Sequence, residues 1–487
     1  MKQNELTRRQ WLKTSIAAAT AICGGTLRSR AAEAGTPVNI ASRRELFVDD
    51  SLIERMTGAE LKLHKPEAKD VALVCDAPWE GNTSAYYAIF RDKDRFRAYY
   101  RGSHVDETRK ATHPEVACHA ESKDGIAWTK PKLGVCEFNG SKDNNIVWTG
   151  DGSHNFTPFK DANPACARDA RYKALAGGFT LVNGKKKSCL NALKSADGVR
   201  WTIMSEGVIT AGAFDSQNLA FWDSVRREYR AYWRIFTAGY TDERGWKPEG
   251  VRAIRTATSK NFIHWENQAD LKYMDSPPEH LYTNAVMPYF RAPHLFVAFP
   301  TRFQPKTQQV EPVFMTSRDG VLFRRWPAEL IPITAPKDRD GNRSNYMTWG
   351  LLQLPGNDRE LSVYATEAYY AGPASRVRRF TFRTDGFVSV HASAKGELFT
   401  KPLRFTGRAL ELNCRAAAQG SIRVEIQDAD GKPLPKFSLA DCQPISGDDI
   451  ARIVKWKSGT SVSALAGKPV RLRFVMENAD LFAMRFQ

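Results

Sequence analysis

Four copies of one short turn, spaced 58 to 73 residues apart, constrain this chain more than any other feature. Two are complete: Ser122-Lys123-Asp124-Gly125-Ile126-Ala127-Trp128 and Ser195-Ala196-Asp197-Gly198-Val199-Arg200-Trp201. Two are degenerate: Ser259-Lys260-Asn261-Phe262-Ile263-His264-Trp265 and Ser317-Arg318-Asp319-Gly320-Val321-Leu322-Phe323. The Asp-Gly pair supplies the positive φ of a tight hairpin, and the aromatic three residues later opens the next strand. A fixed period of this length is the signature of a repeat fold, and β-hairpins at this spacing match propeller blades.

A second element keeps the same period. Strands with alternating aromatics recur at residues 96–102, 171–177, 228–234, 294–299 and 360–365. Another apolar run precedes each one, at 84–90, 156–164, 218–222, 283–290 and 347–354. In a propeller the first strand of a blade lines the central channel and the second packs outside it. The expected architecture is therefore all-β: a five-bladed β-propeller over residues 44–392, followed by a C-terminal β-sandwich over 396–487. The fifth blade has only Arg383-Thr384-Asp385-Gly386-Phe387 as an echo of the turn, and the strand near Leu46-Phe47-Val48 is expected to pair with the last blade and close the ring.

The N-terminus reads as an address. Thr7-Arg8-Arg9-Gln10-Trp11-Leu12-Lys13 precedes a short Ala-rich apolar stretch, and Ala32-Glu33-Ala34 offers a small-x-small cleavage site. This is the twin-arginine export pattern, so residues 1–34 are expected to be a signal peptide and the mature chain periplasmic or extracellular, without a membrane anchor after cleavage. The full chain carries 71 Lys+Arg against 54 Asp+Glu, a formal charge of +17, and losing residues 1–34 brings this to +13. The basic residues are spread out, which speaks against nucleic acid and leaves an acidic polysaccharide as a reasonable partner. Seven of the eight cysteines lie in the mature chain with no C-x-x-C spacing, so buried thiols are expected rather than a disulfide framework or a metal site. No nucleotide, zinc-protease or serine-hydrolase motif is present.

Acids near the starts of inner strands would gather around a shared axis. The candidates are Glu80, Asp161, Asp215 and Glu279, one from each of the first four blades; the fifth offers Asn345, Tyr346 and Trp349. Several carboxylates around one channel are what glycosidic bond cleavage needs, one to protonate the leaving oxygen and one to act as nucleophile or base. Trp79, Tyr282 and Trp349 are candidates to stack on a sugar face, and His280, Gln217 and Asn218 to bond its hydroxyls. Arg291 and Arg302 are candidates to bind a uronate or sulfate.

The arrangement resembles the five-bladed β-propeller glycoside hydrolases of families 32 and 43, and the C-terminal part is similar to the accessory domain of family 32. Arg44-Glu45-Leu46-Phe47-Val48-Asp49-Asp50, the repeated turns and Phe214-Asp215-Ser216-Gln217-Asn218 resemble exported planctomycete proteins known only as family-32-like. The resemblance implies an acid from each of the first three blades. Asp161, in Lys160-Asp161-Ala162-Asn163-Pro164, would be the transition-state stabiliser, Glu80 the nucleophile or base, and Asp215 the general acid, with Glu279 as the alternative acid. The Trp-Met-Asn-Asp-Pro and Glu-Cys motifs of that family are absent. No cofactor is expected; an axial calcium comes with the likeness to family 43, but no ligand spacing here establishes one. The expected function is an exported glycoside hydrolase acting on a poly- or oligosaccharide. A non-catalytic glycan-binding propeller is the main alternative, and a polysaccharide lyase using His280 or Tyr282 as base is a third.

Overall fold

The computed structural model describes residues 36–487 except Asn183, Asp275 and residues 332–345; the segment expected to be a signal peptide, residues 1–34, and Asn345 fall outside the described residues. Five antiparallel sheets follow one another along the chain in a propeller arrangement. Blade 1 is Ala85–Asp92, Arg95–Gly102, Val116–Ser122 and Ile146–Thr149. Blade 2 is Thr157–Lys160, Tyr172–Val182, Lys185–Ser195 and Thr202–Ile209, and blade 3 is Leu219–Asp223, Glu228–Asp242, Gly245–Ser259 and Glu266–Asp270. Blade 4 is built on Val286–Tyr289, Ala292–Ala298, Gln309–Ser317 and Leu322–Glu329. Blade 5 joins an inner segment, bridged at Met347 and Leu352, to Glu360–Glu367 and Arg376–Arg383.

The fourth strand of blade 5 comes from the other end of the chain: Glu67–Val74 pairs antiparallel with Arg376–Arg383. This closes the ring, and Ala88 of blade 1 also bridges Trp349 of blade 5. The strand expected to do this is used elsewhere: Leu46 pairs with Ala483 in the C-terminal sheet. Length explains the difference, since Glu45–Leu46 is two residues and Glu67–Val74 is eight, enough for a full blade edge.

The repeated turn follows the third strand of its blade and is wider than a two-residue hairpin. Gly125, Gly198 and Gly320 have φ of +74, +79 and +82, the left-handed region open to glycine. The serine hydroxyl accepts from the glycine N–H at 2.8 Å in all three. The aspartate carboxylate then accepts two backbone N–H groups beyond the glycine, as Asp197 does from Val199 and Arg200 at 2.8 Å. Local side-chain bonds of this kind satisfy backbone donors that no neighbouring strand reaches. Trp128 and Trp201 fold back so that their indole N–H groups bond the carbonyls of Gly125 and Gly198, at 3.3 and 3.1 Å.

Beyond the blades, Val388–Thr400, Leu410–Gln427, Gly447–Ile453 and Arg471–Phe486 form a larger sheet, joined by Ile53–Thr57, Glu60–Leu63 and Glu45–Leu46. Strand Leu410–Gln427 breaks register between Ala416 and Ser421. Leu412, before the break, and Val424, after it, share one core with Phe474 and Trp456. Val388–Thr400 belongs to the C-terminal sheet along its whole length, with a register shift between Ala392 and Lys395.

The Arg44–Asp50 motif welds the two parts. Arg44 pairs with Glu411 at 2.7 Å and with Asp385 at 3.3 Å, while Arg318 of blade 4 reaches Glu45 at 2.9 Å and Asp49 at 2.8 Å. The seven cysteines of the described residues are all free thiols.

Candidate functional site

The channel has two ends, a mouth where the inner strands begin and a base where they finish. The second strand of each blade runs back toward the mouth, so its last residues arrive beside the first residues of the inner strands.

Five tyrosines gather at the mouth. Tyr86 stands 6.5 Å from Tyr346 by ring centroid; Tyr346 stands 5.8 Å from Tyr282 and 5.5 Å from Tyr369; Tyr369 meets Tyr370 at 4.5 Å. They come from blades 1, 4 and 5, which makes the mouth an aromatic bowl. His154, leading into blade 2, lies 5.5 Å from Tyr86.

Two arginines in the same register support this bowl. Arg101 ends the aromatic run of blade 1, and Arg234 ends that of blade 3. Arg101 is buried; it donates to the Thr83 carbonyl at 2.7 Å and to the Tyr369 hydroxyl at 2.8 Å, and it lies 3.1 Å from His154. His154 in turn lies 2.8 Å from Glu115. Burial opposes ionisation of Glu115, but His154 and Arg101 hold its carboxyl below the ordinary value. Arg234 is buried under Tyr282, whose ring centroid lies 4.6 Å away, and it pairs with Asp215. The Asp215 side chain is 56% exposed, and its backbone carbonyl accepts from the Tyr86 hydroxyl at 3.4 Å.

The other sequence-nominated acids do not join Asp215. Asp161 sits at the base, one residue past the end of its inner strand, with a fully buried carboxylate that accepts from Lys173, from the Tyr229 hydroxyl at 2.7 Å and from the Asn163 N–H at 2.8 Å. Its true counterparts are Asp92 and Asp223, the last residues of their inner strands. The spellings Phe90-Arg91-Asp92, Phe159-Lys160-Asp161 and Phe221-Trp222-Asp223 already carry that alignment. Glu80 is buried within blade 1, where it accepts from Lys130 and from the Tyr100 hydroxyl, both at 2.6 Å. Glu279 pairs with Arg325 at 3.1 Å and Arg302 at 3.5 Å.

The nominated binding residues divide in the same way. Tyr282 belongs to the bowl, and His280 lies beside it, its Nδ1 accepting from the Arg252 backbone N–H at 3.2 Å. Trp79 is bonded to Asn145 at 2.6 Å and packs on Phe138. Trp349 is buried, its indole N–H on the Val286 carbonyl at 2.9 Å. Arg291 is spent on Asp385, and Arg302 on Glu311 and the Pro327 carbonyl.

Gln217 and Asn218 are buried in the channel. The Gln217 amide donates across to the Tyr87 carbonyl of blade 1 at 2.9 Å, and Asn218 donates to the carbonyls of Phe214 and Ser216. These bonds engage the amide nitrogens; the buried Asn218 Oδ1 has no hydrogen-bond partner. Among the described residues no group of three or more His, Cys, Asp or Glu side chains could hold a metal ion. At the base, a separate cavity of about 700 Å³ is lined by Phe90, Phe159, Phe221, Met287, Trp349 and Leu351 among others, and is mostly apolar.

Sequence reading missed Tyr86, Arg101, Glu115, His154, Arg234 and Arg252. A usable signal existed for two of them: Ala98-Tyr99-Tyr100-Arg101 and Ala231-Tyr232-Trp233-Arg234 place an arginine where each strand leaves its blade.

No protein-family model matches the chain, and no curated protein matches it. Solved structures with a similar chain path include an N-acetylgalactosamine deacetylase from F. plautii in complex with blood group B trisaccharide, 13% identical, TM-score 0.44, covering 68% of this chain and 97% of that one. An endo-arabinase from Bacteroides thetaiotaomicron is 10% identical, TM-score 0.39, over 63% and 96% of the two chains. A beta-1,2-mannobiose phosphorylase from Listeria innocua, in complex with beta-1,2-mannobiose, is 10% identical, TM-score 0.42, over 66% and 97%.

Proposed function

We propose that the chain is an exported glycan-binding propeller protein, with its sugar site in the tyrosine bowl at the channel mouth. The observation that carries this is the convergence of Tyr86, Tyr282, Tyr346, Tyr369 and Tyr370 around a half-exposed carboxylate, Asp215, held by a buried arginine. Tyrosine faces stack on the C–H faces of sugar rings, and fixed carboxylate and guanidinium groups bond sugar hydroxyls. Titrating the protein with a panel of oligosaccharides by calorimetry tests the reading. Tyr282→Ala should weaken binding by roughly two- to ten-fold, since a stacked ring contributes about 0.5–1.5 kcal/mol. Binding that Tyr282→Ala leaves untouched would place the sugar elsewhere.

A second reading, hydrolysis at the same site, is favoured by one observation: Asp215 and Glu115 both carry partly exposed carboxylates near Tyr86, Asp215 touching it through its backbone carbonyl and Glu115 through His154. Glu115, held ionised by His154 and Arg101, suits a base or nucleophile. Release of sugar by the wild type and its loss in both Asp215→Asn and Glu115→Gln supports hydrolysis. Tight binding with no release leaves the protein a binder.

A further inference from the structure

We infer that the bowl is built for an acidic sugar, one bearing a carboxylate or a sulfate, and that Arg252 receives the anionic group. This deepens the glycan reading above and rests on it.

Arg234 and Arg252 come from the paired strands Glu228–Asp242 and Gly245–Ser259. In that ladder Arg234 faces Ile254 and Phe236 faces Arg252, so the two arginines are diagonal neighbours on one face of the sheet. Diagonal side chains on a sheet are within reach of each other, and like charges there destabilise it. Both guanidinium groups lie over the ring of Tyr282, at 4.6 and 5.7 Å.

Only one of the two charges is answered. Asp215 neutralises Arg234. Arg252 is half-buried and makes no ion pair among the described residues, and its buried Nε has no hydrogen-bond partner. Burial and the neighbouring Arg234 both work against its charge. The nearest carboxylate, Asp215, favours its charge from a distance but spends its ion pair on Arg234. His280 accepts the Arg252 backbone N–H through Nδ1, so its ring proton sits on Nε2, and burial together with Arg252 lowers its basicity. That leaves His280 neutral, its Nδ1 also accepting from the Arg252 guanidinium at 3.4 Å and its Nε2–H a donor beside it.

A cation kept in place against such costs is a cation waiting for an anion. Its position is also fixed beforehand. Phe236 and Phe303 lie under the guanidinium at 5.3 and 4.8 Å, which holds the planar fork still. A rigid, unpaired guanidinium is matched to the two oxygens of a carboxylate or a sulfate ester. The arginines elsewhere that sequence had nominated for this role, Arg291 and Arg302, already hold Asp385 and Glu311.

The test is calorimetric titration of the full chain with three oligosaccharides of equal length: a galacturonate, a sulfated galactose and an unmodified galactose series. We expect one acidic series to bind about ten-fold or more tighter than the neutral one, with the two acidic arms telling carboxylate from sulfate. Arg252→Gln should collapse that acidic-to-neutral ratio toward one, and Arg252→Lys should restore part of it by returning charge without the fork. Thermal melts of both variants establish that they fold. Neutral sugars binding as tightly as both acidic series, or a ratio unchanged in a folded Arg252→Gln protein, overturns the acidic-sugar proposal and leaves the glycan reading standing. Failure of all three series to bind overturns both.

Discussion

The hydroxyl of Tyr99, on the second strand of blade 1, donates to the carbonyl of Gly198, in the repeated turn of blade 2, at 2.8 Å. Tyr232 makes the same bond to Gly320 between blades 3 and 4 at 2.9 Å, and Tyr364 makes it to Gly125 between blades 5 and 1. The two remaining interfaces lack both halves. Leu175 replaces the tyrosine of blade 2 where Phe262 replaces the glycine of blade 3, and Phe299 replaces the tyrosine of blade 4 where blade 5 has only the degenerate Asp385-Gly386 turn. Apolar packing takes over there: Phe262 packs on Phe159 and Tyr229, and Phe387 packs on Phe299. The repeat that dominates the sequence is thus a blade-to-blade tie.

Breaking one tie should therefore weaken the whole ring. Tyr99→Phe leaves a buried carbonyl without this partner and should cost about 1–2 kcal/mol in urea unfolding. Gly198→Ala should cost more, because its φ of +79 disfavours a side chain and the new Cβ would lie 2.7 Å from the Tyr99 hydroxyl oxygen. Equal, negligible losses in both variants would show the tie to be incidental.

Asp161 and Asp215, alike as candidates in the sequence, should behave in opposite ways. Asp161→Asn leaves Lys173 buried without its counter-charge, a situation that costs roughly 3–5 kcal/mol, while the folded fraction keeps its sugar binding. Asp215→Asn, at a half-exposed and solvent-screened carboxylate, should cost less stability and reduce sugar binding or turnover instead. Paired urea and calorimetric measurements on the two variants decide it; loss of sugar binding by a folded Asp161→Asn protein would return that residue to the site.

What could be read from sequence follows from what repeats. Ser-x-Asp-Gly and the aromatic second strand are local and recur, so the blades were legible. The ring closure was not, because Glu67–Val74 pairs with a strand some three hundred positions later and carries no copy of the repeat. Nor was the site, since an acid next to an inner strand reads alike at either end of it: Asp161 and Asp215 differ in which end they occupy. Arg234 and Arg252 became neighbours only through the hairpin register, which no spacing rule supplies.

The thiols should be protected by burial alone. Cys75, Cys118, Cys189, Cys414 and Cys442 are buried, and burial pushes Cys75 and Cys414 up to about 12 and Cys189 to about 11. Only the thiolate reacts, so a thiol reagent at pH 8 should reach Cys136 and Cys166 slowly in the native protein and every cysteine in urea. Rapid native labelling at a third described position would contradict this burial.

Acid sensitivity should localise to the weld between propeller and C-terminal sheet. Burial alone would raise the pKa of Glu45, but His294 at 3.3 Å and the charge of Arg318 bring it down from 4.5 to about 2. A carboxyl more acidic in the folded chain than in the unfolded one stabilises the fold fully above about pH 4.5, and that support drains away as pH falls toward 2. The gap corresponds to about 3 kcal/mol at neutral pH. Glu45→Gln should be less stable than wild type by up to that amount at pH 7, by about half as much or less at pH 3, and the two should converge below. Urea unfolding of both proteins at pH 7, 5 and 3 measures the difference directly. A deficit that stays constant across that range would mean that Glu45 acts by packing, and that its ion pairs with Arg318 and His294 add nothing to the joint.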